Sequence, residues 1–260
     1  MFFKFDHLVH FTKSPELAAQ KMMELGFHAS LGGHHESWGT YNSLCHFGLP
    51  YIEFLGLEHL SIAQNVTHNT LISQVVDEHM DGEGFLRIAL RTDDIEAAAQ
   101  HFSSLGLKTI GPVEGERRRE NGTLLQWAML FIKDPENGDP YNYPFIIDWK
   151  QSDQERLNSL IDHGLTTPDS PTKIKEIGIG TNHPLDTMAD WSRLFQLANQ
   201  DKTKKALAEE ASNGNTAQIG DITLVFHSTE SEVTRPTFLK LAPSKHKGKK
   251  ELMGGTYFFN

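Results

Sequence analysis

The stretch FDHLVHFTKSPELAAQKMMELGF, residues 5–27, lies over FLRIALRTDDIEAAAQHFSSLGL, residues 85–107, without a gap, and eight of the 23 positions are identical. The shared residues are Phe5/Phe85, Thr12/Thr92, Glu16/Glu96, Ala18/Ala98, Ala19/Ala99, Gln20/Gln100, Leu25/Leu105 and Gly26/Gly106. They spell a strand, a turn, a helix and a stop. Alternation from Phe3 to Phe11 predicts a strand with Phe3, Phe5, His7, Val9 and Phe11 on one face. Ser14 is placed to cap and Pro15 to start a helix that runs over Leu17 to Leu25 and ends at Gly26. The copies differ where chemistry could enter, because His7 faces Arg87. An imidazole can bind a metal; a guanidinium that stays protonated cannot.

Outward from the first copy, strands are expected over about Phe27 to Leu31, Thr40 to Phe47 and Tyr51 to Leu57, with Gly48-Leu49-Pro50 turning between the last two. After a helix near Asn65 to Met80, the second copy opens with Phe85 to Arg91 and is capped by Asp93 or Asp94. Its helix stops at Gly106, and strands near Leu107 to Ile110, Leu124 to Ile132 and Phe145 to Trp149 follow. Glu120-Asn121-Gly122 marks a hairpin tip. The order β-α-β-β-β therefore occurs twice.

Lys150 to Lys173, with Pro168 and Pro171, reads as a short helix and a surface linker. A weaker echo follows: a strand over Ile177 to Thr181, a helix over Pro184 to Leu197, and a hairpin of Thr216 to Ile219 with Ile222 to His227. Thr237 to Leu241 and Thr256 to Phe259 close the chain as a strand pair. The expected organisation is residues 1–80 for the first module and its connecting helix, 81–150 for the second, 151–173 for the linker and 174–260 for a partial third repeat with closing strands. The fold class is α+β: tandem βαβββ modules form a curved mixed sheet with a concave cavity, because each helix covers only one sheet face.

A hydrophobic content of 38% with 16 Phe suffices for a sizeable core in 260 residues, and a net charge of −10 argues against nucleic acid as a partner. No apolar run approaches the ~20 residues that span a bilayer. The interrupted start MFFKFDHLVHF does not read as a signal peptide. The single Cys45 forms no intrachain disulfide and reads as a buried strand residue. A soluble, cytoplasmic protein is expected.

Glu53 shares a face with Tyr51, Leu55 and Leu57. A lone carboxylate there must be protonated, paired with a cation or bound to a metal. With His7 on a neighbouring strand it makes the start of a divalent transition-metal site. The plain alternative is a satisfied core histidine, with Glu53 paired to Arg87 or hydrogen-bonded to His7. In Gly32-Gly-His-His-Glu-Ser-Trp-Gly-Thr-Tyr-Asn42, His35 could be a third ligand or an acid/base, unless the segment is only a decorated hairpin. Arg87 is either an anion clamp or a structural partner of Glu53 or Asp148. Glu116-Arg117-Arg118-Arg119-Glu120 reads as a solvated hairpin, and Lys245 to Lys250 as an exposed loop. Trp38, Tyr41, Trp127, Tyr143 and Trp149 either line an apolar pocket or belong to the core.

With Asp6-His7-Leu8-Val9, Gly32-Gly33-His34-His35, Gly39-Thr40-Tyr41-Asn42 and Tyr51-Ile52-Glu53 in this order, the chain resembles the glyoxalase-like branch of the vicinal oxygen chelate superfamily. Leu90-Arg91-Thr92, Asn121-Gly122 before Leu125-Gln126-Trp127, and Pro144-Phe145-Ile146-Ile147 before Trp149 extend the resemblance through about residue 150. It implies paired βαβββ modules and a divalent metal (manganese, iron, nickel or zinc) that holds two adjacent oxygens of a small molecule and stabilises an enolate or oxyanion. The superfamily includes isomerases, lyases, epimerases, dioxygenases and metal-free drug-binding proteins, so fold does not settle reaction.

This chain departs from the fully liganded pattern. The second copy offers Arg87 and, depending on register, Asp148 or Ile147; the third offers Glu176 opposite His7, and Leu224 or Val225 opposite Glu53. The resulting expectation is a divalent-metal-dependent enzyme of lyase, isomerase or dioxygenase type, leaning to lyase or isomerase, acting on a small oxygenated metabolite. His7, Glu53 and His35 would bind the metal, His35 and Glu53 would act in catalysis, and Arg87, Asn42, Thr40 and Trp127 would hold the substrate. A metal-free binding or resistance protein of the same fold is the alternative, and a homodimer through strand edges is compatible with either.

Overall fold

The residues shared by the two copies set the same strand, turn, helix and stop in each. A computed structural model of the chain describes residues 3–118, 124–133, 141–167, 169–199 and 215–260. Strands β1 (Lys4–Phe11) and β5 (Gly84–Arg91) end in the same side-chain turn: Thr12 Oγ1 accepts from the Ser14 amide at 3.2 Å and Thr92 Oγ1 from the Asp94 amide at 3.3 Å. Ser14 caps α1 (Pro15–Glu24) by accepting from the Leu17 amide, and Asp94, rather than Asp93, caps α4 (Ile95–Ser104) by accepting from Ala97. Ala18 and Ala98 lie buried against the sheet. Gly26 and Gly106 end the helices at φ +77° and +84°, which glycine adopts without a side-chain clash.

The first module continues through β2 (Ala29–His35), β3 (Thr40–His46) and β4 (Tyr51–Leu57); the second through β6 (Lys108–Arg118), β7 (Leu124–Lys133) and β8 (Phe145–Asp148). Each module ends with its last strand parallel to its first, and β1 and β5 join the two antiparallel. The result is a curved, half-barrel mixed sheet of eight strands in the order β2-β3-β4-β1-β5-β8-β7-β6. Between the modules lie α2 (Leu60–Ala63) and α3 (Thr70–Glu78), shorter than the helix expected over Asn65 to Met80 because Asn69 caps α3 with its side chain. Strand β6 runs past the expected end at Ile110: Gly111 and Pro112 sit in a register shift and do not stop it. The expected hairpin tip at Glu120-Asn121-Gly122 lies outside the described residues.

One expectation about β1 fails. Its pairing with β5 shifts register between Phe5 and His7, so Asp6 and His7 both turn to the concave side while Phe3 and Phe5 join the core on the other. An extra residue in a ladder reverses the alternation beyond it. The pairing also skips between Phe85 and Ile88, so Leu86 and Arg87 repeat the irregularity in the second copy.

After α5 (Asp153–Asp162), a second sheet has the order β10-β11-β12-β9-β13-β15-β14. Within it, β9 (Lys173–Thr181), α6 (Pro184–Phe195), β10 (Ala198–Asn199), β11 (Asn215–Ile219) and β12 (Ile222–Ser228) repeat the modular order, with β10 cut to two residues and β12 parallel to β9. Then β13 (Arg235–Ala242), β14 (Gly248–Leu252) and β15 (Gly255–Phe259) follow, β13 antiparallel to β9 and parallel to β15. Lys249 and Lys250, expected in a loop, lie on β14, where lysines discourage edge pairing.

One continuous core joins the convex face of the first sheet (Leu8, Ile52, Phe54), helices α1, α4 and α6, and the inner face of the second sheet (Ile177, Phe226, Leu239). A separate core lies on the concave side, where Leu71, Ile72 and Val75 of α3 meet Val9, Phe131 and Phe145. Among the described residues no helix is long and apolar enough to cross a membrane.

His10, fully buried, links the two sheets. Its Nε2 donates to the Met253 carbonyl at 2.7 Å, and its Nδ1 pairs at 2.7 Å with the Tyr257 hydroxyl, which donates to it when the imidazole is neutral. Burial outweighs the Met253 carbonyl and Glu83 and lowers its pKa to about 4. The unfolded chain takes up this proton near pH 6.5 and the folded chain does not, so stability is full above that value and falls as pH drops toward 4. Urea unfolding at pH 5 should show about 2 kcal/mol less stability than at pH 7.5 from this group. His10→Gln should narrow the gap by that amount; an unchanged gap would contradict the assignment.

Candidate active site

The curled first sheet brings β2 beside β6 and encloses a cup. An arginine crosses the seam: Arg117 Nη1 on β6 donates to Asn42 Oδ1 on β3 at 3.1 Å. Gly32 makes room, since an added Cβ would strike both the Asn42 amide and the Arg117 guanidinium. The cup holds a cavity of about 70 Å³ lined by polar His7, His35, Asn42, His46, Glu53 and Arg117 and by the rings of Trp38, Tyr51, Trp127, Phe145 and Trp149.

Hydrogen bonds cross the cup in series. The Asn42 amide, its oxygen held by Arg117, donates through Nδ2 to Glu53 Oε1 at 2.6 Å. Glu53 Oε2 stands 3.4 Å from His7 Nε2, longer than a strong charge-assisted bond. His7 Nδ1 donates to Asp6 Oδ1 at 2.8 Å, and Tyr51 stacks on the imidazole with centroids 4.5 Å apart. Asp6, with no solvent exposure, also accepts from Trp149 Nε1 and, at 2.6 Å, from Arg156 Nη1 of α5.

A glyoxalase-like domain model matches residues 5–195, well over half of the chain. The chain belongs to the glyoxalase-like domain family. A solved structure of a hypothetical protein from Staphylococcus aureus is similar over 100% of this chain and 99% of that one, at 22% identity and a TM-score of 0.83. A 4-hydroxymandelate synthase variant from Streptomyces coelicolor is similar over 93% of this chain and 71% of that one, at 10% identity and a TM-score of 0.52. A methylmalonyl-CoA epimerase from Mycobacterium tuberculosis overlaps 55% of this chain and 85% of that one, at 17% identity and a TM-score of 0.39. At these identities the first two likenesses show the fold alone, and the third carries no argument. No curated protein matches the sequence.

The charges of this glyoxalase-like cup follow from its contacts. Burial would raise Asp6, but Arg156, His7 and Arg91 hold it far below the carboxylate range. Burial opposes charge on His7, yet Asp6 and Glu53 together raise it above an ordinary histidine. Burial would also raise Glu53; His7, His35 and Asn42 bring it down to about 2. His7 thus stands between two carboxylates that both favour its protonated form. His35 and His46 are neutral, because burial lowers them to about 4 and about 3. Burial also lowers Arg117, which stays charged.

Of the expected site residues, His7, His35, Asn42, Glu53 and Trp127 line the cavity. Thr40 stands behind His35, whose Nδ1 is 3.0 Å from its hydroxyl. Arg87 is not in the lining. Its Nε donates to Gln74 and its Nη2 to the Thr70 carbonyl, both at 2.7 Å, so it anchors α3. Register settles the second copy as well: Phe145 pairs with Ala89 as Glu53 pairs with Val9, so a phenyl ring takes the place of the carboxylate, and Ile147 rather than Asp148 lines the cavity. In the third copy Glu176 pairs with Lys240 at 2.8 Å, and Val225 holds the position of Glu53.

The expected metal triad is not assembled. Among the described residues no three His, Cys, Asp or Glu side chains group to hold an ion. His7 and Glu53 supply two donors; the ring of His35 packs against both the Trp38 and Trp127 rings, at centroid distances of 5.7 and 5.9 Å. The described residues therefore do not supply a metal held by three protein ligands.

Arg117 and His46 were missed. Arg117 belongs to a charge run read as solvated, yet Val113, Gly115 and Arg117 are buried while Glu114 and Glu116 are exposed. That period of two was legible in the letters once β6 was extended beyond Pro112.

Asp6→Asn would leave the Arg156 guanidinium buried against a neutral amide. Urea unfolding should show a loss of about 3 kcal/mol or more. Asp6 stabilises fully above its unfolded pKa of 3.8 and loses that contribution as pH falls, so the variant should also unfold with a shallower acid limb. Unchanged stability would mean that the Asp6–Arg156 pair contributes nothing net.

Proposed function

We propose that this chain is a glyoxalase-like enzyme of lyase or isomerase type that moves a proton on a small oxygenated anion bound in the cup. The observation that carries this reading is Arg117: it is 8% exposed, lines the cavity, and among the described residues has one hydrogen bond and no ion pair. The Glu53 charge acts on Arg117 only across Asn42, with no direct ion pair, and a substrate carboxylate or enolate oxygen supplies a direct partner. Glu53 stands between Asn42 and His7, placed to take a proton from a carbon beside that oxygen. With a pKa of about 2 it is a weak base in the free cup. An anion on Arg117 and the expulsion of water both act to raise it. His7, held by Asp6, carries the proton that the reacting oxygen would receive.

Two other readings have support. Asp6 on Nδ1 of His7 is the kind of partner that orients a metal-bound imidazole, which favours a divalent metal on His7 and Glu53; the lack of a third donor among the described residues counts against it. The aromatic lining favours a metal-free binding protein.

One experiment separates them. In deuterium oxide, small 2-oxo and 2-hydroxy carboxylates are incubated with the protein, and loss of the α-proton signal is followed by NMR. The enzyme reading expects exchange with at least one compound. Glu53→Gln should slow it about 100-fold or more. Arg117→Gln should weaken binding about tenfold or more, and Gly32→Ala, which displaces Asn42 and the guanidinium together without removing charge, should do so in part. Binding without exchange would replace the enzyme by the binding protein. Metal found by elemental analysis, with exchange lost to a chelator and restored by manganese, iron, nickel or zinc, would establish the metal-dependent form.

A further inference from the structure

His46 ends β3 as a buried polar side chain with nothing to bond. It is 5% exposed, it lines the cavity, and neither ring nitrogen has a hydrogen-bond partner among the described residues. A neutral imidazole offers one N–H donor and one acceptor, and leaving both unmet in a dry site lowers stability. Packing alone does not require it, since the neighbouring Tyr51 ring, with its centroid 4.8 Å away, would pack as well against a phenyl group.

The position of His46 is as informative as its lack of partners. Asn42, Leu44 and His46 alternate along one face of β3, and all three line the cavity. Arg117 is bonded at Asn42, while His46 lies four residues further along, roughly 13 Å in an extended strand. Glu53 pairs in register with Leu44, between the two ends. The cup thus has a guanidinium in no direct contact with a carboxylate at one end, an unpartnered imidazole at the other and Glu53 between them. Burial first, and Arg156 against the opposing charge of Asp6, keep the ring neutral, so one of its nitrogens carries a hydrogen to donate.

We propose that His46 contacts substrate by donating a hydrogen bond to an oxygen at the end of the cup opposite Arg117, so that the site selects elongated molecules with oxygen-bearing groups at both ends, on the order of 10 Å apart. This rests on the reading of Arg117 as the anion site. It adds a second recognition point that the Arg117 reading does not need.

Straight-chain dicarboxylates from succinate to suberate, and the matched monocarboxylates, serve as probes in isothermal titration with the full chain. The wild type should prefer one dicarboxylate length over its monocarboxylate by about tenfold, the value of one good hydrogen bond. His46→Phe should erase that preference, leave monocarboxylate affinity within about twofold, and raise the urea midpoint because two orphan nitrogens are gone. His46→Leu is the second variant should Phe not fold. His46→Gln, which keeps an N–H donor, should restore part of the preference. A wild type with no length preference, or a preference that survives both apolar variants, would make His46 an ordinary core residue and overturn the proposal. Failure of every carboxylate to bind, with Arg117→Gln no different from wild type, would instead remove the Arg117 reading and this one with it.

Discussion

The register shift at Asp6 is the constraint on which the cup depends. In a regular strand Asp6 and His7 would point to opposite faces, and the acid would enter the apolar core among Leu8, Ile52 and Phe54. The shift turns both inward, so Asp6 bonds His7 Nδ1 while its other oxygen takes Arg156 from α5. One backbone irregularity thus orients the imidazole, keeps a buried carboxylate charged and ties α5 to the mouth of the site. The same shift sends Phe5 into the main core. Packing on one face and chemistry on the other are set by a single extra residue.

Duplication explains why the cup is lopsided. The second copy repeats the irregularity at Leu86 and Arg87, but α3 covers that half, with Gln74 and Thr70 holding the guanidinium and Leu71 and Ile72 filling the space. Phe145 occupies the position that Glu53 has in the first copy. One half of an inherited pseudo-symmetric cavity has become core, while the other keeps its ionisable groups. The second module contributes to the site from its far edge instead, through Arg117 and Trp127.

The cup is also where the chain gives up stability. An arginine in no direct contact with a carboxylate, two neutral buried histidines and a close ion series are poor choices for a core, and apolar residues of the same volume would hold a fold better. Such groups gather in a cavity when a ligand completes their bonding. The second sheet makes the contrast: its inward positions are Ile, Leu, Phe and Tyr, and Glu176 and Lys240 simply pair with each other.

Much of this was legible in the letters. Local rules act within a few residues, so the strand-turn-helix-stop, its caps, the duplicated module and the approach of His7 to Glu53 could all be read from a repeat and a period of two. The bulge could not: Asp6 leaves no local mark, and only pairing with β5 reveals that an extra residue is present. Arg87 and Arg117 show the same limit. Both are cations on strands, one beneath a helix that packs on it from 13 residues away and the other in the cavity because the sheet curls until β6 meets β2. The sequence by itself determined the repeated module, the family and the residue types available to the site. The tertiary structure decided which of them share the cavity, because that choice depends on register and curvature, which arise only when distant strands pair.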